Sequence, residues 1–160
     1  MSLLRLSLLI ILAFTFVTFS NSSQLSLAQD STSFVNSFEN LLKKTNTLSQ
    51  SYHNETGKFT KGQYDNKTMV AITDNYLPKF QNLVSESKAL QPPKQYQNGT
   101  DLYTKSLESE LQSYTHFRNY LSTHNSTENK LYSKLLSDSS NYEIEAFKKL
   151  MATGSFTIVP

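Results

Sequence analysis

Apolar residues in this chain return at alternating steps of four and three in four separate segments, and that period restricts each segment to a helix carrying a narrow apolar stripe. Between about Thr32 and Ser51 the stripe is Phe34, Phe38, Leu41, Thr45, Leu48 and Tyr52, widened by Leu42. Between about Lys67 and Leu90 it is Met69, Thr73, Tyr76, Phe80, Leu83, Ser87 and Leu90, supported by Ile72 and Val84. From Lys94 or Tyr96 to Ser122 it is Tyr96, Thr100, Tyr103, Leu107, Glu110, Tyr114, Phe117 and Leu121. After Asn125 it is Leu131, Tyr132, Leu135, Ser139, Tyr142, Ala146 and Leu150. Stripes of this width are buried by side-by-side partners. Helices of matched length with short connections predict an all-α, up-down-up-down four-helix bundle.

The punctuation between segments agrees with that reading. His53 to Asn66 collects Asn, Thr, Gly57, Gly62 and Asp65 and reads as a loop. Pro78 removes a backbone donor inside the second segment, which predicts a kink near Asn75 or a helix that starts again around Pro78. Pro92-Pro93 ends that segment. Asn125, with Glu128 three residues on, predicts a capping box at the start of the fourth helix, in which Glu128 reaches back to the cap. Lys148 and Lys149 suit the last turn, and Gly154 is placed to cap it. The stretch Leu90-Gln91-Pro92-Pro93 leading into Tyr96 and Tyr103 resembles the Pro-Pro helix hairpin of small exported prokaryotic helical-bundle proteins of uncharacterised function. That resemblance implies a helical fold and assigns no reaction.

The start of the chain sets its expected destination. Arg5 precedes the apolar run Leu6 to Phe19, and Ser26-Leu27-Ala28 offers a small-residue cleavage site before Gln29. Residues 1–28 therefore read as a signal peptide, with an uncleaved membrane anchor as the alternative, since the run is shorter than the roughly 20 apolar residues of a bilayer span. Residues 29–154 are then the bundle and 155–160 an apolar tail expected to pack on the chain's own core. With no cysteine in the chain, an exported domain must rest on apolar packing instead of disulfides, and thiolate and Cys-zinc chemistry are excluded. Removing Arg5 from the 15 Lys/Arg leaves 14 against 13 Asp/Glu, a net +1 spread along the chain. Nothing in that balance points to nucleic acid or to an anionic membrane; membrane contact is expected only through an uncleaved N-terminal segment.

Candidate sites are few. Nine tyrosines and no tryptophan are present, and most tyrosines fall on apolar stripes, where core packing with the hydroxyl at the rim is the first reading. The alternative is a ligand pocket formed by Tyr76, Tyr103, Tyr114 and Tyr142. Beyond the expected cleavage position the Asn-x-Ser/Thr motif recurs at Asn54, Asn66, Asn98 and Asn125, all placed in expected loops or helix starts, and marks possible glycosylation. His53 and His124 read as loop residues and His116 as outward-facing, without the Glu-x-x-His pairs of di-iron bundles. Glu110 is expected at the edge of its seam, with Leu111 taking the inner place as the helix drifts against the 3.5-residue repeat. No Ser-His-Asp constellation, glycine-rich phosphate loop or HExxH motif is present. The sequence thus predicts no catalytic set, no metal and no cofactor. It points to an exported, non-enzymatic bundle acting through an unknown protein partner at or outside the cell surface. A small-ligand-binding bundle with a tyrosine-rich interior is the alternative.

Overall fold

The computed structural model describes residues 11–12, 22–154 and 158–159. In chain order they form β1 (Ile11–Leu12), α1 (Ser22–Thr60), α2 (Asn66–Ala89), α3 (Lys94–Thr123), α4 (Ser126–Met151) and β2 (Ile158–Val159). Among the described residues the fold is an all-α four-helix bundle, with one two-residue antiparallel pairing of Ile11 with Val159 and Leu12 with Ile158. Most of the expected leader, 1–10 and 13–21, and the tail residues 155–157 and 160 lie outside the described residues.

Cross-helix contacts fix the directions. Lys44 meets Glu86 and Tyr52 meets Tyr76, so α1 and α2 run antiparallel. Ser87 meets Thr104 and Asp74 meets Arg118, which makes α2 and α3 antiparallel. Gly99 meets Leu150, Ser106 meets Ser139 and His116 meets Glu128, so α3 and α4 are antiparallel as well. Phe34 stacks on Tyr96, Phe38 packs on Tyr103 and Phe59 on Phe117, so α1 and α3 run parallel across the bundle.

The buried core follows the stripes of α1, α2 and α3, from Phe34, Phe38 and Tyr52 through Met69, Phe80 and Leu83 to Tyr96, Tyr103, Tyr114 and Leu121. Several features differ from expectation, the first being that α1 begins at Ser22, inside the expected leader, and not near Thr32. His53–Thr60 is helical and belongs to α1, which continues the stripe to Phe59. The hydroxyls of Thr56 and Thr60 turn back on the carbonyls of His53 and Gly57, and Glu55 pairs with Lys58, so this polar stretch satisfies its own helix. Only Lys61–Asp65 connects α1 to α2, with Gly62 in the left-handed region at φ 74°. The second helix passes through Pro78 as one element and does not start again there. At the start of α4, Asn125 caps as expected, its side chain accepting from the Thr127 N–H at 2.9 Å. Glu128 turns away from the cap to His116 Nδ1 at 2.8 Å, because the neighbouring helix offers a charge-assisted partner. The cap residue of α4 is Ala152, and Gly154, expected to cap, stands two residues beyond it in the left-handed region at φ 73°.

A second buried line on α3 carries no hydrophobic signal in the sequence. Gly99, Ser106 and Ser113, seven residues apart, are all buried, and the first two bring α4 close: the Ser106 hydroxyl donates to the Ser139 carbonyl at 2.9 Å. A Cβ on Gly99 would stand 2.6 Å from Leu150 Cγ and 3.2 Å from the Ala146 carbonyl oxygen. Gly99→Val is therefore expected to lower stability by about 2 kcal/mol, the overpacking cost exceeding what is gained by removing a helical glycine. A urea midpoint that falls at unchanged slope bears this out; an unchanged midpoint shows that α3 and α4 separate freely.

Candidate functional site

The α4 stripe determines what reaches the interior. Ser139, Ala146, Phe147 and Leu150 are buried, whereas Tyr142, expected inward, is 37% exposed. In a helix of 3.6 residues per turn Glu143 lies roughly 40° from the centre of the Ser139, Ala146 and Leu150 line, against roughly 60° for Tyr142. The carboxyl side chain accordingly turns in and the phenol turns out. Burial, with the charge of Glu110 added, raises the Glu143 carboxyl from 4.5 to about 7.

Glu110 also departs from expectation. It is half-buried, as is Leu111, and its Oε1 accepts from the Ser49 hydroxyl of α1 at 2.9 Å and from the Tyr114 hydroxyl one turn along at 2.7 Å. His53 Nε2 of α1 lies 3.4 Å from the same Tyr114 oxygen. Burial holds the Tyr114 phenol well above its ordinary value, and Glu110 beside it pushes the same way, so Tyr114 remains a donor at any physiological pH. A polar seam thus crosses the bundle from Ser49 and His53 on α1, through Glu110 and Tyr114 on α3, towards Glu143 on α4. One turn deeper, the Tyr52 hydroxyl sits 2.9 Å from Thr73 Oγ1, which itself donates to the Met69 carbonyl.

The four tyrosines singled out from sequence do not converge. Tyr103 and Tyr114 are buried in aromatic packing, Tyr76 is half-buried with its hydroxyl 2.6 Å from Ser51 Oγ, and Tyr142 is on the surface. A concavity of about 440 Å³ is lined by residues of α1 and the turn after it, from Ser51 and His53 through Glu55 to Lys61, and none of those tyrosines borders it. Sequence reasoning does not single out Glu143, Ser49 or His53 as parts of a shared site. The helical phase of Ser139, Ala146 and Leu150 is the signal that could have found Glu143.

Asn66, Asn125 and His124 stand at helix ends as expected, whereas His53, Asn54 and His116 are placed differently. His53 is helical, and His116 is half-buried against Glu128, whose carboxyl it holds below the usual range. His124 closes α3 in the left-handed region at φ 58°, with Nε2 3.3 Å from Asn66 Nδ2. Asn54 lies within α1 and Asn98 within α3, both exposed, while Asn66 is the half-buried first residue of α2. Among the described residues no three His, Asp or Glu side chains are grouped to hold a metal ion, and no helix is long and apolar enough to cross a membrane. Comparison of this chain with protein families, with curated proteins and with solved structures finds no match, so its functional reading rests on its own residues.

Proposed function

We propose that this chain is an exported, non-enzymatic helical bundle that acts through protein contacts at or outside the cell surface. The observation that carries the reading is where the aromatic side chains go. Tyr52, Tyr103 and Tyr114 fill the interior against Phe38, Phe80 and one another, so the space a small ligand would need is taken by side chains. Meanwhile α4 leaves Tyr142, Ile144 and Met151 at 37%, 53% and 37% exposure. Ile144 and Met151 are seven residues apart and share one face of the helix. Export with cleavage after Ala28 and glycosylation at the Asn-x-Thr motifs belong to the same reading.

The test is a photo-crosslinking side chain at position 144, with one at exposed Gln81 on α2 as control, in the protein made by its own cells. A discrete adduct from position 144, absent from position 81 and lost when Met151 is replaced by Asp, is the expected result. Equal labelling at both positions, or none, overturns the proposal. A rise in melting temperature with a small metabolite would instead favour the ligand-binding alternative.

A further inference from the structure

We infer that Asn125 is the one glycan acceptor, of the four Asn-x-Thr motifs, that the folded bundle presents. The inference deepens the export reading and rests on it. A transferase must engage the Asn carboxamide and the hydroxyl two residues on at the same time. On a helix, residues i and i+2 do not face each other, so a helical motif displays only one of the two groups to any one surface.

Asn54 and Asn98 are in that position, and their partners are occupied. The Thr56 hydroxyl donates to the His53 carbonyl, and the Thr100 hydroxyl is buried and donates to the Tyr96 carbonyl. Asn66 opens α2 with its Nδ2 turned to His124. Asn125 differs. It stands outside the helix at φ −72° and ψ 116°, exposed, and its Oδ1 accepts from the Thr127 N–H, which holds the carboxamide beside Thr127. Capping uses the oxygen and leaves Nδ2 free to react. Among the described residues the exposed Thr127 hydroxyl has no hydrogen-bond partner. The donor would be a lipid-pyrophosphate-linked oligosaccharide. Nδ2 attacks the anomeric carbon, the N–C1 bond forms, and the C1–O bond breaks with its electron pair leaving on the lipid pyrophosphate. One carboxamide proton passes to a base of the transferase.

The experiment incubates the folded full chain with an oligosaccharyltransferase and such a donor, then maps occupancy by peptide mass. Asn125 is expected to be occupied at least about tenfold more than Asn54, Asn66 or Asn98, whose use requires local opening of a helix. Unfolding in urea before a brief diluted reaction should level the four. Thr127→Ala, which keeps the backbone donor of the cap and so the fold, should abolish modification of the folded chain. Equal occupancy of Asn54, Asn66 or Asn98 in the folded chain, or an unmodified Asn125, overturns the inference. Export is judged separately, by whether the protein is recovered from the medium or the outer cell surface, and cleavage by whether it still begins at Met1, whereas the occupancy ratio in the folded chain alone decides which acceptor the bundle presents.

Discussion

Glu143→Gln is expected to make the bundle more stable above pH 7 by about 3 kcal/mol while changing little near pH 4. The sign follows from where the carboxyl holds its proton. In the unfolded chain Glu143 titrates at its ordinary 4.5, and in the bundle at about 7, chiefly because burial penalises the charge and secondarily because Glu110 is negative. Below 4.5 both states are protonated and the residue contributes no pH dependence. Between 4.5 and 7 the unfolded chain releases the proton and the folded chain keeps it, so stability declines as pH rises. Above 7 the full cost is present. A neutral amide of the same shape removes that cost and the slope with it.

Other carboxylates work in the opposite direction. Glu55, Asp65, Glu128 and Glu145 are held below their ordinary values by Lys58, Thr68, His116 and Lys148 respectively, so their contributions are present above the unfolded values and are lost as pH falls through the folded ones. Together the two groups place maximum stability near about pH 5, with decline on both sides. Urea unfolding at half-unit intervals from pH 4 to 8 measures this directly. A wild-type midpoint that is flat between pH 5 and 7.5 would mean that Glu143 is not held protonated. Glu110→Gln separates the two causes: the declining window should narrow from its upper end but persist, because burial is the larger of them.

The extent to which this site is legible in the sequence follows from how each residue is specified. Phe34, Phe38, Tyr52, Phe80, Tyr103 and Leu121 fall where the pattern puts them because a stripe is a local property, readable within one helix. The end of α1 escapes the pattern because His53–Thr60 is rich in residues that usually mark loops. Its helix is sustained by hydroxyls turned back on the chain and by Phe59 packing on Phe117, a contact between distant segments. Glu110 reads as an edge residue for lack of a partner nearby, and its partner Ser49 is 61 residues away on a parallel helix. Tyr142 and Glu143 exchange places because a strict four-three alternation admits either residue. The close approach of α4 along Gly99 and Ser106 decides between them, and small residues give no hydrophobic signal. Helix existence is therefore written locally, whereas helix rotation is written in the neighbour.

Tyr52→Ala is expected to cost about 3–5 kcal/mol, a loss comparable with the whole stability of many domains this size. Tyr52 is fully buried, and its ring centroid lies 4.5 Å from Tyr114 of α3, 5.1 Å from Tyr76 of α2 and 6.0 Å edge-on from Phe80. One side chain of α1 thus joins both neighbouring helices, and truncation opens a cavity between elements that cannot collapse onto it without breaking the Phe34–Tyr96 and Phe59–Phe117 contacts on either side. Its hydroxyl is a smaller matter. Thr73 Oγ1 donates to the Met69 carbonyl and so receives from Tyr52, and burial keeps the Tyr52 phenol protonated for that purpose. Tyr52→Phe removes one hydrogen bond while Thr73 retains the other, at a cost of about 1 kcal/mol. Denaturant unfolding of the two variants therefore distinguishes packing from hydrogen bonding. A small loss for Tyr52→Ala, close to that of Tyr52→Phe, would show that α1 is held by its other contacts and that the aromatic cluster is not its anchor.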